Sequence, residues 1–192
     1  MSANGGDSAG GSAGLRKLRI EEIARPSLPE LATLPRHPIV VVADHVRSAH
    51  NVGALLRTSD AARVAHVYLT GITPTPAHRA VTKASLGAED SVPWSHHTDI
   101  QPVLDRLHAD GYALMALEQT TSPTYLADLN PGLGSVALIV GNEVEGVQQT
   151  VLDRCDLALE LPQYGAKHSL NVSVAFGIAL YGLLDRLEIM DV

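Results

Sequence analysis

Residues 136–146 read VALIVGNEVEG, an apolar run that ends in a loop bounded by two glycines. A continuous run of aliphatic residues is typical of a strand that is buried on both faces of a parallel sheet. Glycine permits a ligand to approach the backbone closely, so the loop from Gly141 to Gly146 is a candidate binding loop. It is neither a dinucleotide-binding fingerprint nor a P-loop, because it lacks their glycine spacing and the Lys-Ser/Thr pair.

Strand and helix patterns alternate on both sides of this stretch. The further predicted strands are 39–42, 67–69, 112–117 and 157–161, and the predicted helices are 51–62, 77–86, 100–109, 147–154 and 169–188. This alternation predicts an α/β fold, a mostly parallel sheet with helices on both faces. Ligands of such sheets bind beyond the carboxyl ends of the strands. We therefore expect the loops 118–122, 141–146 and 162–168 to line one site.

The chain divides into three predicted parts. Residues 1–14 are mostly Gly, Ser and Ala and predict a disordered tail, since they cannot bury enough apolar area to offset their ordering. Residues 15–37 form a basic-leaning N-terminal arm, which is either a solvated arm packed on the domain or an RNA-contacting extension. Residues 38–192 form the folded domain.

Composition and charge limit the possible partners and compartments. The net charge is −7, from 14 basic and 21 acidic residues, so a nucleic-acid surface has to be a local basic patch. The single Cys permits no internal disulfide and fits a reducing cytoplasm. We see no secretory signal, and the apolar stretch 170–184 is shorter than the ~20 residues of a membrane span. We predict a cytoplasmic protein that makes no membrane contact.

Residues 51–57 read NVGALLR and form a second motif. Asn51 and Arg57 are somewhat less than two helical turns apart. Arg57 follows three apolar residues, and an Arg in such surroundings is costly unless it is paired. Its guanidinium is therefore either a functional group or half of a surface ion pair.

Residues 161–174 read LPQYGAKHSLNVSV and form a third motif. A loop with Pro and Gly delivers Ser169 and Asn171 to the start of a strongly apolar helix. Ser169 is a predicted N-cap, with a ligand contact as the alternative. Asn171 falls inside the predicted first turn, where it has no evident structural role, so a ligand contact is favoured.

In order and spacing, the three motifs resemble those of the SpoU/TrmH branch of the SPOUT methyltransferases. The matching residues are Asn51-x-Gly53-x-x-x-Arg57, then Gly141-Asn142-Glu143, then 161–173, and residues 83–89 (KASLGAE) are similar to the family's intermediate segment. Two departures are Val144 and Gln163, where many relatives have Gly and Met. The resemblance covers about residues 38–184 and implies a SPOUT methyltransferase domain with a C-terminal deep trefoil knot. Knots are very rare, and composition does not predict this one.

The resemblance also implies the chemistry. The implied cofactor is S-adenosylmethionine, the implied acceptor is a ribose 2′-hydroxyl of RNA, and no metal is required. The expected catalytic residues are Arg57, Asn51, Glu143, Ser169 and Asn171. The expected cofactor-binding residues are Glu118, Gln119, Thr120, Gly141, Asn142, Gly146, Leu161, Pro162, Ser169 and Leu170. Family members are usually homodimers whose protomers share each active site, so the apolar last helix is a candidate interface as well as core.

The target and two rival functions stay open. The short chain leaves no room for a separate RNA-binding domain, which favours tRNA over rRNA as the target. The rivals are a non-catalytic RNA-binding or assembly protein on the same fold, and a methyltransferase for a non-RNA substrate. Three histidines adjoin motifs, and for them a phosphate contact is the alternative to plain loop polarity: His45, His50 and His168. Cys155 is predicted to be a buried apolar residue rather than a nucleophile.

Overall fold

Seven strands form one parallel sheet in the computed structural model, which describes residues 15–189. The predicted tail, 1–14, lies outside the described residues. The strands are β1 (His37–Asp44), β2 (Val64–Thr70), β3 (Trp94–His97), β4 (Ala113–Leu117), β5 (Thr124–Tyr125), β6 (Val136–Val140) and β7 (Leu157–Glu160). Their order is β3-β2-β1-β6-β4-β7-β5, and each pairing of neighbours is parallel. The prediction of a mostly parallel sheet is confirmed.

Helices cover both faces of this sheet. They are α1 (Leu28–Thr33), α2 (Ala49–Ala61), α3 (Arg79–Ser85), α4 (Gln101–Ala109), α5 (Gln149–Leu152) and α6 (Val172–Arg186). Alternate residues of β1 point to opposite faces, as the period of a strand requires. Val41 packs in one apolar cluster with Leu55 of α2 and Phe176 of α6. Val42 packs in the other with Leu104 of α4. The apolar run of β1 is therefore buried on both sides.

The sequence prediction missed two strands, β3 and β5. Strand β3 reads WSHH and is only partly buried at an edge of the sheet, so it carries no aliphatic run. Strand β5 has two residues at the other edge. Edge strands that are short and polar are a normal way to end a sheet, but they give no periodic signal.

The predicted start of the last helix was wrong. Asn171, not Ser169, is the N-cap, and its Oδ1 accepts a hydrogen bond from the backbone N–H of Ser173 at 2.9 Å. Helix α6 consequently begins at Val172. Asn171 thus has the structural role that the sequence did not reveal, in addition to the contact described below. The helix predicted at 147–154 is also shorter and spans Gln149–Leu152.

The arm of residues 15–36 contains a 3₁₀ turn (Ile20–Glu22) and α1, neither of which has a buried residue. Arg36 ends the arm, and its guanidinium donates to the carbonyl oxygens of Val64 at 3.2 Å and Ser91 at 2.7 Å. The arm therefore joins the domain through main-chain carbonyls. Within residues 15–189, no helix has both the length and the apolar character of a membrane span.

Candidate active site

The loops that follow β4, β6 and β7 surround one cavity of about 450 Å³ together with the start of α6. They meet because these three strands are parallel neighbours in the sheet, so their carboxyl ends lie at the same edge. The expected site residues in the wall are Glu118, Gln119, Gly141, Asn142, Glu143, Gly146, Leu161, Ser169, Leu170 and Asn171. The predicted meeting of the three loops is confirmed.

Four of the expected site residues do not line this cavity. Thr120 lines a neighbouring cavity of about 630 Å³, and its Oγ1 accepts from the N–H of Ser122 at 3.3 Å. Pro162 follows Leu161 without lining the cavity, and Asn51 and Arg57 belong to α2 outside its wall. The cofactor-binding and catalytic roles of all the expected site residues, inside and outside this wall, stay predictions.

The second-motif loop folds back on itself. Asn142 and Gly146 exchange backbone hydrogen bonds of 3.2 and 3.1 Å, and the Oδ1 atom of Asn142 accepts from the N–H groups of Val144 and Glu145. A Cβ atom at Gly141 would overlap the backbone of Gly146. Glycine at 141 is thus required by the closure of the loop itself.

Glu118 ties the loop after β4 to the loop after β6. Its Oε2 accepts from the N–H of Val147 at 2.9 Å. Gly146 has a φ of +68° beside this carboxylate, and a Cβ at Gly146 would collide with it. Gln119 extends the link to the third motif, because its Nε2 donates to the carbonyl oxygen of His168 at 2.8 Å.

A hydrogen-bonded cluster joins all three motifs at the rim of the cavity. Asn51 Nδ2 donates to Glu143 Oε1 at 2.8 Å. The Oδ1 atom of Asn51 in turn accepts from Asn171 Nδ2 at 3.1 Å. The carboxylate of Glu143 also accepts from the backbone N–H groups of Arg47 at 2.9 Å and Ser48 at 3.0 Å. We call Asn51, Glu143 and Asn171 the motif cluster.

These contacts set the ionisation of Glu143. Burial alone would raise the pKa of its carboxyl, but the N–H of Arg47, the amide of Asn51 and the N–H of Ser48 together outweigh it and hold the pKa below its usual value. Glu143 is therefore a fixed carboxylate that positions the start of α2. Sequence reasoning named Glu143 but missed the two backbone donors, because main-chain contacts leave no residue-type signal.

Arg57 is exposed on α2 and forms no ion pair within the described residues. The sequence allowed either a surface ion pair or a functional group at Arg57, and no ion pair of this residue is present within residues 15–189. Its guanidinium is therefore free to contact a ligand. Gly53, one turn earlier, lies where a Cβ would collide with Ala84 and with the carbonyl of Val81 on α3. The glycine of this motif therefore serves the close packing of α2 on α3.

Cys155 on the chain segment after α5 is partly buried. Burial raises the pKa of the Cys155 thiol to about 11, and its Sγ lies 3.3 Å from the carbonyl oxygen of Val151. That fits the predicted apolar role better than a nucleophile. Among residues 15–189, no three His, Cys, Asp or Glu side chains are grouped as metal ligands.

Two curated relatives are each 32% identical to this chain over the residues that align. One is a 23S rRNA (guanosine-2′-O-)-methyltransferase from Vibrio vulnificus, 32% identical over 84% of this chain and 64% of its own length. Another is a TrmH family tRNA/rRNA methyltransferase of Staphylococcus epidermidis, 32% identical over 76% of this chain and 58% of its own length. The chain thus spans less than two thirds of the length of these relatives.

Solved structures agree with the fold. An AdoMet-bound rRNA methyltransferase from Sinorhizobium meliloti superimposes with a TM-score of 0.73 at 26% identity, over 79% of this chain and 59% of that one. A TrmH/SpoU tRNA modifying enzyme of A. aeolicus gives a TM-score of 0.75 at 27% identity, over 84% and 81%. The sequence model of the SpoU rRNA Methylase family matches residues 38–181, from the first strand to α6. The chain belongs to the SpoU rRNA methylase family.

Proposed function

We propose that this chain transfers a methyl group from S-adenosylmethionine to a ribose 2′-hydroxyl of a structured RNA. The observation that carries the proposal is the motif cluster, which links α2, the loop after β6 and the start of α6 through hydrogen bonds of 2.8 and 3.1 Å. The exposed Arg57 follows on α2, so the cluster fixes the helix that presents the guanidinium. This is the arrangement expected of a site that positions a reacting group.

The cavity fits S-adenosylmethionine in size and charge. Its volume of about 450 Å³ is within the range of about 300–1,000 Å³ for small-molecule sites. The wall contains carboxylates, Glu118 and Glu160 among them, and no Lys or Arg, which suits a cationic ligand. Leu161 and Leu170 supply apolar surface. When bound, the cofactor supplies a methyl group already activated on a cationic sulfur.

The chain's own residues then have to position the ribose and stabilise charge. The 2′-oxygen must lie in line with the bond between the sulfur and the methyl group, and negative charge develops on the oxygen as its proton passes to solvent water. A guanidinium hardly loses its proton, so Arg57 does not act as a general base that removes the proton of the 2′-hydroxyl. Arg57 instead favours the charged 2′-oxygen and holds the adjacent phosphate by charge-assisted hydrogen bonds.

The other members of the expected catalytic set have supporting roles. Asn51 and Glu143 hold the first turn of α2, and Asn171 caps α6 while it donates to Asn51. Ser169 lines the cavity at the start of the same segment and is assigned to the target ribose. Exchange of these groups for alanine is expected to lower methyl transfer more than cofactor affinity.

We also infer that the active form is a homodimer with a deep trefoil knot at the C-terminus of each protomer. Three exposed apolar residues form a stripe on α6, which we call the α6 stripe: Val174, Ile178 and Tyr181. Their spacing of four and three residues places them on one side of the helix. A second copy of the chain, as the family resemblance implies, would cover this surface.

The class of RNA is the next part of the proposal: tRNA stays the expected target, whereas the relatives carry names that refer to 23S rRNA and to tRNA/rRNA. The test is to incubate the protein with labelled S-adenosylmethionine and unmodified total RNA and to separate the products by size. We expect labelled RNA that disappears after ribonuclease treatment, and its size assigns the RNA class. Cofactor binding without any labelling would favour the assembly protein, and ribonuclease-resistant label would favour a non-RNA substrate.

A further inference from the structure

A buried carboxylate holds the ring of His45 at the carboxyl end of β1. Asp44 is only 2% exposed. Its Oδ1 accepts from Thr70 Oγ1 at 2.6 Å and lies 2.8 Å from His45 Nδ1. Since a carboxylate can only accept, Nδ1 carries the proton of this contact. The rest of the imidazole ring is left for other partners.

The backbone of His45 is held in an unfavourable conformation. Its φ is +51°, which is uncommon for a residue other than glycine. The ring packs directly over Gly71, where any Cβ would collide with it. Such strain persists only where the surroundings enforce it, and it often accompanies function. The ring is therefore fixed on one side by Gly71 and by Asp44.

His45 is one of the residues that line a second cavity, of about 460 Å³, whose lining shares no residue with that of the cofactor cavity. The polar lining residues of this second cavity are Thr98, Asp99, Gln101, Gln148 and Thr150, and it contains no Lys or Arg. A phosphate would meet a carboxylate there without a cationic side chain. Amides and hydroxyls beside an aromatic ring match instead an unpaired nucleobase, which offers a stacking face and a hydrogen-bonding edge.

The two glutamines are suited to read a base edge. Gln101 Oε1 already accepts from Arg154 at 2.9 Å, which leaves its amide NH₂ as the donor for a ligand. Gln148 is exposed at the N-cap position of α5, and it provides no side-chain cap hydrogen bond there. Its amide therefore offers both a donor and an acceptor to the cavity.

This second cavity adjoins the candidate active site along the chain. His45 is two residues before Arg47, whose N–H donates to Glu143. Gln148 is two residues after Gly146 in the wall of the cofactor cavity. Two residues span at most about 7 Å. A nucleotide close to the methylated one can therefore reach this cavity.

We propose that this cavity binds an unpaired base of the substrate RNA beside the methylated nucleotide, with the His45 ring stacking on the base and Gln101 and Gln148 binding its edge. The identity of the RNA rests on the proposed function. The cavity itself does not, because binding of a base can be measured without methyl transfer.

The first experiment follows the carbon-bound imidazole protons of His45 by NMR. The probes are single-stranded hexaribonucleotides that present each of the four bases, and an abasic hexamer with the same phosphates. We expect a saturable shift with at least one base-containing hexamer and none with the abasic hexamer. No shift with any hexamer, or an equal shift with the abasic one, overturns the proposal.

The second experiment compares His45→Asn with His108→Asn. Asn tolerates the positive φ of position 45 but has no ring to stack, and His108 is exposed on α4 away from the cavity lining. We expect His45→Asn to raise the KM for RNA roughly tenfold, with kcat and cofactor affinity unchanged. The control should match the wild type.

Either an unchanged KM or a fall in kcat alone in His45→Asn overturns the stacking role. Gln148→Ala provides a second variant that leaves the Asp44–His45 pair intact, and a severalfold higher KM is expected. If the wild type methylates no RNA, the proposed function fails, and the hexamer titration alone decides whether the cavity binds a base.

Discussion

Glu143 accepts three hydrogen bonds from groups that lie more than ninety residues away in sequence. The family resemblance of its loop named Glu143 as an expected site residue, and the residue does line the cavity. Its partners Arg47 and Ser48 were not predicted, since they donate through the main chain. At the scale of single residues, the sequence thus indicates which side chains belong to a site. It does not indicate which backbone N–H groups will bind them.

Glu143→Gln should destabilise the fold in a pH-dependent way. The lowered pKa of Glu143 means that its stabilising contribution is present above the usual value of 4.5 and is lost as the pH falls through the lower folded value. At pH 7, we expect a loss of about 1 kcal/mol of unfolding free energy, reduced by solvent screening because the residue is partly exposed. Denaturant unfolding at pH 7 and pH 4 measures it.

Glu145→Gln is the matched control, because Glu145 contributes its backbone N–H to the loop through Asn142 Oδ1. It should leave the unfolding free energy unchanged at both pH values. Equal destabilisation of Glu143→Gln at pH 7 and pH 4 would show that the ionised carboxylate is not what holds the start of α2.

Arg57 variants should lose turnover without losing stability. The side chain is exposed and unpaired among the described residues, so Arg57→Lys and Arg57→Ala should change the unfolding free energy by less than about 0.5 kcal/mol. Both variants lose the planar guanidinium with its paired N–H donors. We expect kcat to fall by about 10²-fold or more in Arg57→Ala, and Arg57→Lys to lose most of the turnover as well. Single-turnover methyl transfer measures this.

Arg106→Lys on α4 is the comparison variant, since Arg106 is also exposed and its contact with Asp110 is a weak one at 3.6 Å. Its rate should match the wild type. A near-wild-type rate in Arg57→Lys would remove the argument that the planar guanidinium matters.

Strands were predicted where the sequence carries an aliphatic run. Strand β6 is buried at all five positions, and its aliphatic run identified it directly. Strand β3 was missed, because its sequence WSHH carries only partly buried or exposed residues. The start of α6 was misplaced by two residues, since Ser169 and Asn171 are both common N-caps and only the fold decides which of them has Ser173 N–H in reach.

Gly146→Ala tests the loop after β6 as a cofactor-binding element. Alanine at position 146 would have to adopt the φ of +68° that the glycine has. Its Cβ would also collide with the Glu118 carboxylate. We expect a loss of more than about 1–2 kcal/mol of unfolding free energy, and at least a tenfold weaker binding of S-adenosylmethionine by calorimetry, because Glu118 has to leave Val147.

Gly134→Ala is the control for backbone strain alone. Gly134 has a φ of +73° with no atom within 4 Å of an added Cβ. It should show the cost of the backbone conformation and keep full cofactor affinity. If the two variants bind the cofactor equally well, the contact between Gly146 and Glu118 does not shape the site.

At the scale of the whole molecule, the strand order could not be read from the sequence. Strand β6 inserts between β1 and β4, although β2 and β3 follow β1 in the chain. Sequential strands are neighbours only about two thirds of the time, and no local pattern records a long-range insertion. The insertion matters, because it brings the loop of Glu143 beside α2. The site residues were named from motifs, whereas their meeting place depends on this order.

Ile178→Lys should dissociate the proposed homodimer. Ile178 is 47% exposed in the middle of the α6 stripe, and a second copy covering it would have to bury an unpaired ammonium. Sedimentation at micromolar concentration should give a dimer for the wild type and a monomer for Ile178→Lys. Ile72→Lys, at a 63% exposed loop position after β2, should remain dimeric. A monomeric wild type would contradict the interface.

The central claim is that the site methylates a ribose oxygen of RNA. Alkali cleaves RNA through the free 2′-hydroxyl, so a methyl group on that oxygen protects the following phosphodiester bond. RNA labelled by the protein from S-adenosylmethionine should therefore yield its label in alkali-resistant dinucleotides. Recovery of the label in mononucleotides, with the methyl group on a base, would contradict the account, as would RNA that acquires no label.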